Sequence, residues 1–569
     1  MIGAFAYLLR MSWRNRVLSQ IQRVKSPRYA AAIVIGLSYF WFVLFRQSMR
    51  GPSGANIFLG PEVEIVAPLG LIVILGAVWL LGTDRSALAF TEAEVAMLFT
   101  APVSRRGLIV YKLARSQIVI LFNALIWVFI LRRGGAALPA PLSAIGFWVL
   151  FTTLSCHRLA AALVRASSWE HGLRGVRRNW IPITVSAAIA VTIGWELFNG
   201  RHRFAGATYP EGFFATFASI LSALPARIAL YPFRAMLAPS FAHAPADWAR
   251  AMVPALAVLA VHAWWVLRSD SAFEEAAAAA SVERARRLEA FRARRSLSAI
   301  PKPTGGARTI PLAATGHPLV AIVWKNMICL MRTAQVGLLV FAALVGIGTA
   351  IALGVMIDDI GAGIAIVALF IGGLMLLVGG RSVRNDLRSD MLHLPFLKAI
   401  PISGMHIVVA EIASGAVVMA AIEFVLLTIA VAGLAWSTNE IPVSPEARLG
   451  ILVASPVALL AYNGVVFTVL NGAAVLFPAW MRLGPSGGGG VEAMGQIVLA
   501  TAGQLFAQVL LLLAPIGIAA GTVYMLRGNA GLAFAVGLIA GGLALMAELY
   551  FAVRGLGRAF GRAEPQQIT

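Results

Sequence analysis

The sequence predicts an all-α polytopic membrane protein with about twelve transmembrane helices, arranged as two six-helix repeats. Three observations carry that prediction. The chain is 59% hydrophobic and only 12% charged, with a mean hydropathy of +0.83, far more apolar surface than a soluble domain needs. Its basic residues gather in short loops beside apolar runs, as cytosolic loops do. Polar motifs also return in the same order in the second half, the mark of an internal repeat.

Taken in order, residues 1–29 read as an amphipathic helix on the cytosolic face. Arg10, Arg14 and Arg16 interrupt its apolar positions, which argues against a cleavable signal peptide. The first six-span half, 30–268, offers apolar runs near 30–46, 66–83, 117–132, 143–164, 181–198 and 251–267. Between its second and third runs lies Thr91–Gln117, too polar to span a bilayer and therefore expected on one membrane face. Glu92 and Glu94 open this stretch, Pro102 breaks it, and Arg105, Arg106, Lys112 and Arg115 crowd its end. Between the fifth and sixth runs, 199–250 contains apolar pieces too short to cross and too hydrophobic for water. These read as re-entrant or interfacial helices.

Residues 269–316 form a cytosolic connection. FEEAAAAASVERARRLEAFRARR is rich in helix formers, with Glu283 and Arg287 at ion-pair spacing, and AIPKPTGG then breaks it as a flexible linker. A second amphipathic helix is expected at 317–334, followed by the second six-span half, 335–554. Its runs lie near 335–356, 361–380, 407–435, 449–477, 496–520 and 529–553, and 555–569 is a cytosolic tail. An even number of crossings places both termini on the cytosolic side. Asp358, Asp359, Glu440 and Glu446 then fall outside, while Arg132, Arg133, Arg201 and Arg203 fit that orientation badly.

The repeat rests on three anchors. Trp13-Arg14-Asn15 is echoed by Trp324-Lys325-Asn326, Pro102-Val103-Ser104 by Pro401-Ile402-Ser403, and HAWWVLR (262–268) by ELYFAVR (548–554). The polar stretch also recurs, as RSVRNDLRSDMLHLPFLKAIPISG from Arg381. Both copies pair an apolar face with a proline stop: Val95, Leu98 and Phe99 in the first, and Leu392, Leu394, Phe396 and Leu397 in the second. Short amphipathic helices held at a membrane surface are suited to dock in a groove of a soluble partner.

Several chemistries are excluded. No GxxxxGK[ST], HExxH or CxxC occurs, so the chain has no P-loop, no such metal motif and no catalytic residue to name. Two cysteines, Cys156 and Cys329, give no disulfide framework. The formal charge of +21 follows from the basic loops, and nucleic acid is not an expected partner. The intramembrane candidates are scattered: His157, Arg158, Glu196, His262, Glu423 and Glu548. They are read as structural, with Arg158 and Glu423 as candidate cavity-lining groups. An ion-driven secondary transporter would want several such groups converging at mid-depth. A membrane-embedded lipid or glycosyl transferase would want a catalytic constellation.

These residues resemble the membrane subunits of ABC transporters of the ABC-2 exporter class. The match lies in EAEVAMLFTAPVSRR and MLHLPFLKAIPISG, each beside an amphipathic helix at the start of its half. The resemblance implies elbow helices at 1–29 and 317–334, and coupling helices that contact separate P-loop ATPase subunits, two in number. It implies that ATP-Mg is bound on the partner and that no cofactor or metal is held in this chain. The ATPase-docking residues would be Glu92, Glu94, Pro102, Ser104, Arg105 and Arg106 in the first half, and Asp390, Lys398, Pro401 and Ser403 in the second. It further implies a multi-pass protein of the inner membrane that exports a substrate; the residues do not identify it, and an apolar cavity without a conspicuous charged ring would suit a lipid, peptide or other amphiphile. The turn near Gly521–Ala530 departs from the pattern, leaving no room for outer helices in the second half.

Overall fold

A computed structural model describes residues 62–81, 104–131, 138–170, 173–204, 211–268, 312–313, 315–333, 336–438, 443–478 and 494–564, with isolated residues between 3 and 38. The first expected span, the acidic end of the first docking stretch and nearly all of the 269–316 connection lie outside them. Long apolar runs without a water-satisfied edge can only close their backbone hydrogen bonds within themselves. Accordingly, every regular element among the described residues is helical. The chain divides into two units, essentially 1–304 and 305–569, with residues 488–498 grouped with the first.

In the first unit, α1 is Glu62–Leu81, α2 Arg105–Leu131, α3 Ala140–Glu170, α4 Leu173–Gly200, α5 Glu211–Leu221, α6 Leu224–Phe241 and α7 Pro245–Arg268. Helix α3 is central, packing on α2, α4, α6 and α7. Its Phe147, Leu150 and Phe151 meet Ile120, Ala124 and Val128 of α2 and Met236 and Leu237 of α6. At Gly146 the backbone of Pro239 would lie 2.7 Å from an added Cβ, so only glycine permits this approach of α6 to α3. The expected re-entrant piece is the pair α5 and α6, bent by 96° at its break. Arg234 donates to Leu221 O across that bend at 3.4 Å.

In the second unit, α8 is Pro318–Thr333, α9 Val336–Met356, α10 Ile360–Val378, α11 Leu387–Asp390, α12 Leu394–Ala399, α13 Gly404–Trp436, α14 Pro445–Leu476, α15 Met494–Met525 and α16 Ala530–Arg562. Helix α13 packs on α8, α10, α14 and α16, and α14 also lies along α16. Gly361 of α10 would bring an added Cβ to 2.5 Å of the Ser437 backbone nitrogen, which lets these two helices touch backbone to backbone. Asp359 fastens the same corner. It caps α10 at Ala362 N–H and accepts from Ser437 Oγ at 2.7 Å and Thr438 N–H at 3.0 Å.

Eight described helices are long and apolar enough to cross a membrane, or nine with the bent pair taken as one. They are α2, α3, α7, α10, α13, α14, α15 and α16. The expected runs at 66–83, 181–198 and 335–356 are helical as α1, α4 and α9, but do not pass the same test among the described residues. One boundary needs correction. Residues Arg105–Gln117, read as a surface segment, are the first turns of α2 itself. Likewise α16 runs on to Arg562, through most of the expected tail. Between α15 and α16 only the turn Leu526–Asn529 intervenes, with Asn529 capping α16 at Leu532 N–H.

Candidate functional site

The second docking stretch is built from short pieces because its sequence keeps interrupting itself. Asp386 caps α11 by accepting from Arg388 N–H at 3.0 Å, Pro395 sits in the first turn of α12, and Ser403 caps α13 at His406 N–H. Leu387, Met391, Leu394 and Leu397 turn inward onto Ile407, Val408 and Phe560. This corrects the expectation of an apolar face offered to a partner: the protein buries Leu394 and Leu397 itself. Phe396 points the other way and is 67% exposed, flanked by exposed Pro395, Lys398, Ala399 and Pro401.

Beneath that surface lies a charged network absent from the motif reading. Lys325 of α8 pairs with Asp390 at the end of α11 and, at 3.4 Å, with Glu411 of α13. Asn326 donates to Glu411 Oε2 at 2.8 Å and to Ser414 Oγ at 3.0 Å. Glu411 is fully buried. Burial alone would lower the Lys325 pKa, but the carboxylates of Glu411 and Asp390 outweigh it and hold the ammonium above its ordinary value. Asp386 binds Arg388 at 2.7 Å, both buried, and Arg388 also donates to Gly380 O at 2.9 Å. Lys398 donates to Gly561 O at 3.2 Å and to Ala563 O, capping the end of α16. The stretch is thus tied to three helices: to α8 and α13 through Lys325, and to α16 through Lys398.

For the first docking stretch, Glu92, Glu94 and Pro102 lie outside the described residues. Ser104 caps α2, its Oγ accepting from Gly107 N–H at 3.2 Å, the counterpart of Ser403 on α13. Arg105 opens α2 and Arg106 is exposed.

The intramembrane residues resolve into two different arrangements. In the first unit, Trp79 Nε1–H donates to His157 Nε2 at 3.1 Å. His157 Nδ1 meets His262 Nε2 at 3.1 Å, and His262 Nδ1 meets Val258 O at 2.8 Å. One tautomer assignment satisfies the whole chain: each histidine is neutral, with its proton on Nδ1. A doubly protonated His157 would set one N–H donor against another. Trp265 stacks on Trp79 with centroids 6.2 Å apart. Sequence spacing could not reveal this cluster, since its histidines stand 105 residues apart. Arg158, next to His157, is half-buried.

In the second unit, Glu423 is buried at mid-helix, and its Oε2 accepts from Asn463 Nδ2 at 2.6 Å. Its other oxygen has no partner. Glu548, which the repeat aligns with His262, is half-buried on α16. Among the described residues no group of three or more His, Cys, Asp or Glu is placed to hold a metal ion.

A family model described as "Putative ABC exporter" matches residues 3–557. The chain belongs to that family, which accounts for its multi-pass helical architecture and makes it a membrane component of an ABC exporter. No curated protein and no solved structure matches it.

Proposed function

We propose that this exporter component is an ABC-2 type permease whose two six-span halves are fused in one polypeptide. A separate ATPase subunit docks on each half, and ATP-Mg is bound and hydrolysed there. Twelve spans in the inner membrane leave both termini cytosolic. The first ATPase meets Glu92, Glu94, Pro102, Ser104, Arg105 and Arg106; the second meets the stretch around Asp390, Lys398, Pro401 and Ser403.

The observation that supports this reading most is the construction of the second stretch. An exposed aromatic side chain between exposed prolines is a favourable anchor for a protein partner. Here Phe396 stands on a segment whose Leu394, Leu397 and Lys398 are fastened to neighbouring helices. In this scheme Asp390 and Lys398 hold the segment while Phe396 and Pro401 touch the ATPase. Closure of the ATPase pair pushes on α12, and the Lys325 and Lys398 contacts carry that displacement to α8, α13 and α16 as a rigid-body shift.

The test is purification in mild detergent with identification of co-purifying proteins and an ATPase assay. A stoichiometric P-loop ATPase, lost when Phe396→Ala is combined with Pro102→Leu, is the expected result. Retention of coupled transport in that double variant, or ion-gradient-driven uptake without any ATPase, would overturn the scheme.

A further inference from the structure

Gln504 and Gln508 stand one turn apart on α15, buried in the second unit at 5% and 1% exposure. Residues at this spacing share a helix face. Leu511 and Leu512 continue it, packing beside Ala461 and Val465 of α14 and Leu545 of α16. Gln504 Oε1 accepts from Arg381 Nε at 2.8 Å, but Gln504 Nε2 has no acceptor and neither end of the Gln508 amide has a partner. Orphaned amides inside a membrane protein are costly, and leucine would pack there at no such cost. Buried polar groups of this kind call for a missing hydrogen-bonding occupant.

The surroundings indicate its charge. Arg384 and Arg388 lie close enough to Arg381 to repel its charge, while the Asp386 carboxylate is engaged by Arg388. Arg381 closes the apolar run that begins at Ile360, where a membrane helix reaches the head-group level. A guanidinium beside two inward amide donors complements a phosphate or carboxylate.

We propose that Arg381, Gln504 and Gln508 form a binding site in the second unit for the anionic head group, phosphate or carboxylate, of an amphiphile. As cargo, such a ligand rests on the exporter reading; as a binding site, it does not. The test is thermal unfolding of the purified full-length protein with phosphatidylglycerol, phosphatidylcholine or inorganic phosphate. Phosphatidylglycerol should raise Tm where phosphatidylcholine does not. Gln508→Leu and Arg381→Gln should each weaken that response roughly tenfold in lipid concentration. Without lipid, Gln508→Leu should unfold at a higher temperature than the parent, the sign of a polar residue held against stability. Equal stabilisation by both lipids, or an undiminished phosphatidylglycerol response in both variants, would overturn the site. Stabilisation by inorganic phosphate but not by phosphatidylglycerol would overturn the amphiphile. No ATPase enters the measurement, so failure of the docking scheme would leave its result intact.

Discussion

The two halves start their third and ninth expected spans in the same way and brace them differently. Ser104 and Ser403 each cap the long helix that follows a proline, with the hydroxyl accepting a backbone N–H three residues on. Glu411 follows Ser403 at the spacing at which Lys112 follows Ser104, so the helix charge at this point is reversed. In the second half that acid receives Lys325 and Asn326 from α8. In the first half the third span meets its neighbour through an uncharged pair, Thr152 Oγ1 donating to Gln117 Oε1 at 3.0 Å, while a neutral Trp–His–His chain joins α1, α3 and α7. The difference teaches that two halves of a chain can share where helices begin while differing in what holds them together. A cap needs one hydroxyl at one position, whereas an ion network needs matched charges on three separate helices.

The largest expected effect breaks that comparison from the charged side. Lys325→Met leaves the buried Glu411 carboxylate without its cation and should cost about 3–5 kcal/mol in thermal or denaturant unfolding. Adding Glu411→Gln should restore most of the loss; a double variant as unstable as Lys325→Met would show that the network contributes nothing specific. Phe396→Ala comes next and should act on docking alone. It should weaken ATPase binding by about 2 kcal/mol, or roughly 30-fold, with Tm unchanged. A fall in Tm equal to that of Lys325→Met would place Phe396 in the core instead.

The neutral side is probed by His157→Phe, which orphans the Trp79 N–H and deprives His262 of its donor. Unfolding of the parent and variant should differ by about 1–3 kcal/mol. No measurable cost would mean that the Trp79–His157–His262 chain contributes nothing to stability. The smallest effects sharpen the likeness of the halves. Ser104→Ala and Ser403→Ala should each cost about 1 kcal/mol, and strongly unequal values would mean that the shared serine does different work in the two copies.

Much of the fold was legible in advance because its signals are local. The run at 407–435 became α13, beginning at Gly404 right after the serine cap, and the short turn before Ala530 left no space for outer helices. The apolar pieces of 199–250 became the bent α5–α6 pair, since neither is long enough to cross alone. The candidate site was legible only in outline. Asp390 and Lys398 could be named from the stretch, but their partners Lys325 and Ala563 are remote in sequence. Leu394 and Leu397 were read as facing a partner because amphipathicity shows that a face seeks cover, not which surface supplies it. Gln504 and Gln508 carried no motif at all.

The sequence by itself therefore determined the described helices, their punctuation by Ser104, Pro401 and Ser403, and the membrane setting. Each follows from backbone hydrogen bonding and transfer free energy, which act residue by residue along the chain. The tertiary structure alone decided that His157 finds His262, that Lys325 is shared by Asp390 and Glu411, and that Gln504 and Gln508 are enclosed with amide groups left unpaired. Those outcomes depend on how closely helices approach. That is set by contacts such as Gly146 on Pro239 and Gly361 on Ser437, where the lack of a single Cβ lets two distant segments meet.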